Sequence, residues 1–202
     1  MIDFRDNIRQ CNNCTLRCNQ PPLIDQNTVA SVFWVGLSAV KVEDVNLSTP
    51  LSSSTNTGKL ISEIELLCTS NNFYKTNIVK CLPLNDTKIR YPTKGEMKSC
   101  YHNLELEINI LQPALIFLLG KQVSDFVANK FDVKFDKLDE DFNYLPFKIG
   151  NLTFIQVHHP SYILVYKRKK VDLYRQKIAQ LIKKDGQEHK NTEGVCKQSV
   201  PN

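Results

Sequence analysis

Apolar residues fall along this chain in short runs at two spacings. Four runs are compact and rich in β-branched or aromatic residues: Ser31–Leu37 (SVFWVGL), Lys75–Lys80 (KTNIVK), Leu115–Leu119 (LIFLL) and Thr153–Val157 (TFIQV). Runs of this length, bounded by polar or Gly-containing turns, predict buried strands. Between and after them apolar residues recur at helical spacing: KLISEIELLCTS opened by Gly58, Glu96–Leu111 ended by Pro113, KQVSDFVANKF after Gly120, and Val171–Lys184. Residues 4–18 predict a short helix carrying the first cysteines. Residues 45–57, NDTKIRYPTKG and residues 132–150 read as loops. From about residue 185 the chain is polar without core periodicity, which predicts a disordered tail over 185–202. The alternation of strands and helices predicts an α/β fold, a three-layer α/β/α sandwich around a central, mainly parallel four-stranded sheet, in one domain over residues 1–184. Ligands of such sheets bind beyond the carboxyl ends of the strands. Three polar clusters are expected there: Gly36–Asp44, Asn77 and His159.

Composition narrows the class. A chain of 202 residues with 42% hydrophobic and 23% charged residues supports one domain with its own core. The longest apolar runs, SVFWVGL and ALIFLLG, are far below membrane-spanning length. The opening MIDFRDNIRQC has no apolar export core, so a cytoplasmic location and no membrane partner are expected. The net charge of +5 gathers late, in YKRKK at 166–170 and IKKD at 182–185, where it can engage phosphates. Seven cysteines in a reducing compartment favour metal ligation over disulfides. Cys11 and Cys14 form a tight CNNC pair, Cys81 follows in VKCLP, and Cys100 lies in MKSC. A pair plus two distant singles can assemble a four-thiolate site for zinc or an iron–sulfur cluster. Cys18 competes with this set, but the CxxC register prefers Cys11 and Cys14. Cys68 lies on an apolar helix face as a core thiol, and Cys196 falls in the tail.

Taken in order, these stretches resemble the iron–sulfur, family-4 type of the uracil-DNA glycosylase superfamily, over roughly residues 8–180. The CxxCxL opening matches Cys11, Cys14 and Leu16. A TNxVKCxP strand end matches Thr76 through Cys81 and Pro83. Cys100 matches the helix cysteine, and Leu118-Leu119-Gly120 a strand ending in LLG. His159, Pro160, Ser161 and Tyr162 through Leu164 match an HPSxLL-type loop. The first motif, GEAPGxxED, is kept only at its ends, by Gly36 and by Glu43-Asp44. Leu37 replaces its first acid, and the Pro and second Gly are absent. Where the family continues with a Pro-Phe pair whose ring stacks on the flipped base, this chain has Pro50-Leu51 followed by the hydroxyl-rich SSSTNT.

The resemblance implies a monofunctional DNA glycosylase with a [4Fe-4S] cluster on Cys11, Cys14, Cys81 and Cys100, zinc being the alternative. It implies that Asn77 hydrogen-bonds the pyrimidine edge, with an amide offering donor and acceptor together. His159 donates to the base carbonyl as negative charge develops. Glu43 or Asp44 positions water or favours the sugar cation, and the backbone near Gly36, Leu37 and Ser38 touches the base beside Leu51. Ser161 to Leu164 enters the duplex, with Tyr162, Ile163 or Leu164 as wedge. Lys167, Arg168, Lys169 and Lys170 hold phosphates, as does Lys59 at a helix start. His158 is expected in a structural role. The partner is DNA, and the chain is expected to act as a monomer. Uracil is the family's base. Ordinary uracil excision in base-excision repair therefore stays open beside a second reading, toward which Leu51 and the polar residues after it tilt: a modified pyrimidine, such as a glucosylated hydroxymethylcytosine of phage DNA, and a role in antiviral defence. Two other classes stay open: a non-catalytic DNA-binding relative, for which Leu37 is the best support, and a zinc-stabilised binding module.

Overall fold

The computed structural model describes residues 3–195, with side chains as far as Lys184. In chain order the elements are α1 (Phe4–Arg9), β1 (Val32–Ser38), α2 (Asn56–Leu66), β2 (Phe73–Val79), β3 (Leu84–Asn85), β4 (Lys88–Ile89), α3 (Lys94–Leu111), β5 (Leu115–Leu119), α4 (Lys121–Phe131), β6 (Pro146–Ile149), β7 (Leu152–Val157), α5 (Pro160–Tyr166) and α6 (Val171–Val195). All four predicted strands form. They pair in the order β2-β1-β5-β7 with every contact parallel.

The sheet has five strands rather than four. β6 pairs antiparallel with β7 at the sheet edge, inside the segment expected to be irregular. Four residues, PFKI, are too few for a clear period-two signal, and the leading Pro146 is tolerated only because the strand is an edge. A short hairpin, β3-β4, sits in the predicted loop after Cys81. Residues 4–18 are not one helix: α1 ends at Arg9, and a 3₁₀ turn covers Thr15–Cys18, so the first cysteine pair lies in the bend between them. The last helix continues to Val195, past the residue where the polar tail was placed. Cys196 and residues 197–202 lie outside the described residues.

Alternation along the strands explains the two-sided burial. Val32 and Trp34 with Leu115, Phe117 and Leu119 pack under α2, α5 and α6. Phe33 and Val35 with Ile116 and Leu118 pack under α3 and α4. Both faces are covered, so the strands read as continuous apolar runs. Trp34 donates its indole N–H to Glu65 (3.0 Å), whose other oxygen takes Lys75 (2.8 Å), tying α2 to two strands. Among the described residues no helix is long and apolar enough to cross a membrane.

The strand order places the site. β1 has β2 on one side and β5 on the other, so the chain reverses direction across the sheet at β1. That reversal leaves a crevice beyond the carboxyl end of β1, where Gly36 sits. The loop before α2 closes over it. α2 starts at Asn56, two residues before Gly58, because Thr55 caps the helix by accepting from Gly58 N–H (3.0 Å). The Thr55 hydroxyl also donates to Ser52 O (2.9 Å). The loop therefore folds onto the helix start, and a Cβ on Gly58 would lie 1.9 Å from Ser52 O and 2.4 Å from Leu51 O. Gly58→Ala is expected to open this turn and destabilise the protein by about 1–3 kcal/mol, measured by urea and thermal unfolding. An unchanged midpoint would show that the turn carries no strain.

Candidate active site

Asn77 ends the inner part of β2, directly beside Gly36 of β1. A Cβ on Gly36 would lie 2.3 Å from Asn77 Oδ1 and 3.4 Å from Leu51 Cδ2, so only glycine leaves room for the amide there. Asn77 is 3% exposed. Among the described residues its side chain makes no hydrogen bond, yet no fully enclosed polar atom is left unpartnered. The amide is thus sunk in the crevice and open to a ligand. Leu51 reaches the same spot by adopting φ +51, a left-handed conformation normally left to Gly or Asn. The fold thus brings Gly36, Leu51 and Asn77 to one place.

His159 enters from the other side of the crevice, two residues beyond β7. It caps α5: its Nδ1 accepts from Ser161 N–H (3.1 Å) and lies 2.7 Å from Ser161 Oγ. A backbone N–H can only donate, so Nδ1 carries no proton and the neutral ring holds its proton on Nε2. Burial pushes the His159 pKa below its ordinary value, which keeps the ring neutral near pH 7. Gly120, with φ +88, lets the turn after β5 pass within 3.0 Å of the His159 Cβ, measured from an ideal Cβ on the glycine. A larger residue would displace the imidazole. Asn77 and His159 stand on strands three positions apart, about 14 Å at the backbone, with their side chains at the same end of the sheet.

His158 is structural, as expected. Its Nδ1 lies 2.8 Å from the Tyr144 hydroxyl, and its carbonyl accepts from Tyr174 (2.8 Å). These tyrosines hold the backbone next to His159, and neither is visible in the motif. Gln20 is a second supporting residue. It donates to Val40 O (3.0 Å) and accepts from Val42 N–H (3.0 Å), pinning the loop after β1. A lone buried glutamine 20 residues away carries no sequence signal.

The acids of the divergent motif are exposed. Asp44 accepts from Asn46 N–H (2.8 Å) in a local turn, and neither it nor Glu43 hydrogen-bonds Asn77 or His159. Leu37 and Ser38 are half-buried at the end of β1. The expected DNA-entering segment is helical rather than a loop. Ile163 is fully buried in the core and cannot be a wedge, and Leu164 packs against the same core. Tyr162 remains, 36% exposed, with its ring stacked on His158 (5.4 Å, 13°) and Tyr166 beside it (5.3 Å). Two of the basic residues are already neutralised: Lys167 pairs with Glu140, and Lys170 with Asp141 (2.8 Å). Arg168, Lys169 and Lys59 are exposed.

A second, narrow cavity lies beneath the end of β2. Cys11, Cys14, Cys81 and Cys100 all line it, with Lys80 and Asn103. Cys18 does not, and all six described cysteines are free. Asn103 Nδ2 donates to Cys11 Sγ and Cys100 Sγ (3.6 Å each), and Lys80 N–H to Cys100 Sγ (3.4 Å). N–H donors aimed at sulfur suit thiolates that ligate a metal or cluster. Burial pushes the Cys81 thiol up to about 12, with the neighbouring cysteines adding to it, and raises Cys100 as well. Buried thiolates placed side by side are stable only around a cation. Among the described residues no three His, Cys, Asp or Glu side chains are already drawn together at metal-ligand spacing.

A larger cleft, about 490 Å³, lies beside the amino end of β2. Its acids are already paired, Asp25 with the backbone N–H groups of Asn27 and Lys75, Glu65 with Trp34 and Lys75. It offers no free chemistry.

A family model described as the uracil DNA glycosylase superfamily matches residues 30–183. The type-4 uracil-DNA glycosylase of Thermotoga maritima is 27% identical over 192 residues, 90% of this chain and 94% of that protein. Its counterpart in Archaeoglobus fulgidus is 28% identical over 138 residues, 66% of each chain. That of Sulfurisphaera tokodaii is 26% identical over 177 residues, 85% of this chain and 70% of that one.

The lowered His159 pKa has a sign that can be checked. Because the folded state disfavours the protonated ring, its stabilising contribution is complete above about pH 6.5 and fades as pH falls from there through the folded pKa. Protonation of Nδ1 would also break the α5 cap. NMR titration of the imidazole is expected to give a midpoint below the ordinary value, moving back up in Ser161→Pro, which removes the N–H. A midpoint at or above 6.5 in the native chain would refute the neutral-donor geometry.

Proposed function

The chain belongs to the uracil DNA glycosylase superfamily, and from that premise we propose that it is a monofunctional DNA glycosylase. It flips a pyrimidine nucleotide out of DNA and hydrolyses its N-glycosidic bond, leaving an abasic site. One observation supports this above the others: Asn77, whose amide makes no hydrogen bond among the described residues, and His159, a neutral imidazole with its proton on Nε2, both lie at the carboxyl end of the sheet.

Base release passes through an oxocarbenium-like sugar and an anionic leaving base. Flipping costs a few kcal/mol, which pocket contacts and a wedge offset. Asn77 supplies a donor and an acceptor to the base edge. His159 donates Nε2–H to the base oxygen where charge collects, and one preorganised donor of this kind contributes about 3 kcal/mol. A neutral ring suits this geometry, since Nδ1 stays an acceptor for the α5 cap while Nε2–H donates. Glu43 or Asp44, exposed in the loop after β1, orients water or favours the sugar cation. Tyr162 serves as the wedge, and Arg168, Lys169 and Lys59 contact phosphates. Among the described residues both lysines that flank Asn77 are already engaged: Lys75 pairs with Glu65, and Lys80 uses all three of its donors at the strand end. Hydrolysis is therefore favoured over lyase chemistry.

Cys11, Cys14, Cys81 and Cys100 would hold a [4Fe-4S] cluster, or zinc in the alternative. Its contribution is structural, fastening the N-terminal segment to the end of β2. The chain would work as a monomer in the cytoplasm.

The base is a modified cytosine, such as glucosylated hydroxymethylcytosine of phage DNA, in an antiviral role. Leu51 supports this: an aliphatic side chain at the Gly36–Asn77 wall removes aromatic stacking, about 1–3 kcal/mol per base, and leaves space over the ring. Ser53, exposed on the adjoining turn, adds a hydroxyl at its rim. Uracil is the second reading, favoured by the names of the relatives.

Alkaline strand cleavage should reveal abasic sites in one of two substrates, uracil DNA or phage DNA carrying hydroxymethylated or glucosylated cytosines, and not in ordinary DNA. Cleavage of uracil DNA alone would assign repair and remove the modified-base reading. Salt-sensitive binding with no base release on any substrate would leave a non-catalytic relative. Asn77→Ala and His159→Ala are each expected to lower release at least 100-fold with unchanged cluster absorption. Broad visible absorption in the purified protein identifies iron–sulfur, and a colourless zinc-loaded protein would overturn that assignment.

A further inference from the structure

Lys80 is among the largest fully buried side chains, 1% exposed, and its partner Glu107 is 0% exposed. A buried charge is normally costly, and neither residue faces the crevice. Yet all three ammonium donors of Lys80 are used. They reach Glu107 Oε2 (2.6 Å), Thr76 Oγ1 (2.5 Å) and the carbonyl oxygen of Asn77 (2.7 Å). Thr76 in turn donates to Glu107 Oε2 (2.8 Å), and Tyr74 to Glu107 Oε1 (3.2 Å). The backbone of Lys80 is fixed as well: its N–H donates to Cys100 Sγ, and its carbonyl accepts from Leu23 N–H (2.9 Å).

The strand explains why this lands on Asn77. Val79 is the last residue of β2, and the side chain of Lys80 folds back under the strand end. It takes the one backbone oxygen whose position sets the peptide from which the Asn77 side chain projects. Gly36 on the neighbouring strand limits that side chain from the other direction. Any drift of the peptide would press the amide into β1 or withdraw it from the crevice.

We propose that Lys80, held by Glu107, is a positioning residue for Asn77: its ammonium locks the Asn77 peptide so that the amide stands ready to read the base. The inference rests on the functional reading of Asn77 given above. A hydrogen bond from a charged donor is about twice as strong as a neutral one, and Lys80 touches the Asn77 carbonyl and the Glu107 carboxylate while also lining the four-cysteine cavity. The pair thereby connects that cavity to the crevice through a single side chain.

The test is a double-mutant cycle with Asn77. Lys80→Met combined with Glu107→Gln removes both charges while a glutamine amide still serves Tyr74 and Thr76, avoiding an orphaned carboxylate. On the substrate that the native chain cleaves, kcat is expected to fall on the order of 100-fold, the scale of a 1 Å misplacement, with KM for DNA little changed because phosphate contacts lie elsewhere. In an Asn77→Ala background the same pair of substitutions should cost nothing further. A merely structural role predicts losses that multiply in the two backgrounds, and that result would overturn the proposal, as would native kcat in the double variant. If the double variant does not fold, Thr76→Val, which removes one acceptor of the ammonium, goes through the same cycle with a smaller expected fall. A native chain that releases no base from any substrate would sink the functional reading instead. The side-chain amide resonance of Asn77 then decides: displacement in the variants supports the lock, and an unmoved resonance refutes it.

Discussion

The ion pair between Lys80 and Glu107 is the contact on which the two special regions of this protein depend. It is fully removed from water and joins β2 to α3. Removing one partner of such a pair costs about 3–5 kcal/mol because the other is left buried and charged. Here the geometry meets the demand: the carboxylate accepts from Lys80, Thr76 and Tyr74, and the ammonium has three acceptors. On one side of the pair lies the Asn77 peptide, on the other the cavity lined by four cysteines. A charge that could have been replaced by packed hydrocarbon is retained where it fixes a backbone oxygen.

The rest of the crevice is built from backbone constraints rather than from charge. Gly36 and Gly120 each leave out a Cβ that would press on a neighbouring side chain, Asn77 in one case and His159 in the other. Gly58 does the same for the turn that sets Leu51. His159 is fixed by acting as the cap of α5, so one hydrogen bond both starts a helix and selects the tautomer. Polarity is concentrated at one sheet end because the parallel strands all finish there, and the reversal of strand order at β1 opens the gap between them.

The surface around α5 shows how local charge can mislead. The run YKRKK suggests a uniform basic patch. Two of its lysines instead answer Glu140 and Asp141 from the loop before β6. Those pairs tie the loop to α5, while Arg168 and Lys169 keep their charge for a partner. Tyr162 and Tyr166 form a short aromatic ladder on the exposed side of the same helix, so basic and aromatic groups lie side by side.

The sequence by itself determined the four parallel strands and the helices between them, and it singled out Gly36, Asn77, His159 and the four cysteines as candidates. Strands buried on both faces and amphipathic helices write their periods directly into the order of residues, and short motifs keep fixed spacing to strand ends. Tertiary structure alone decided the fifth strand, whose four residues are too short to show a period, and the helical state of the segment after His159, where burial of Ile163 overrode its place in a presumed loop. It also decided which lysines are paired, because their acidic partners lie 27 and 29 residues away. The supports of the site, Lys80 with Glu107, Gln20, Tyr144 and Tyr174, were illegible for the same reason. Each acts through a contact between residues distant in the chain, and such contacts leave no local pattern until the sheet and helices have closed around them.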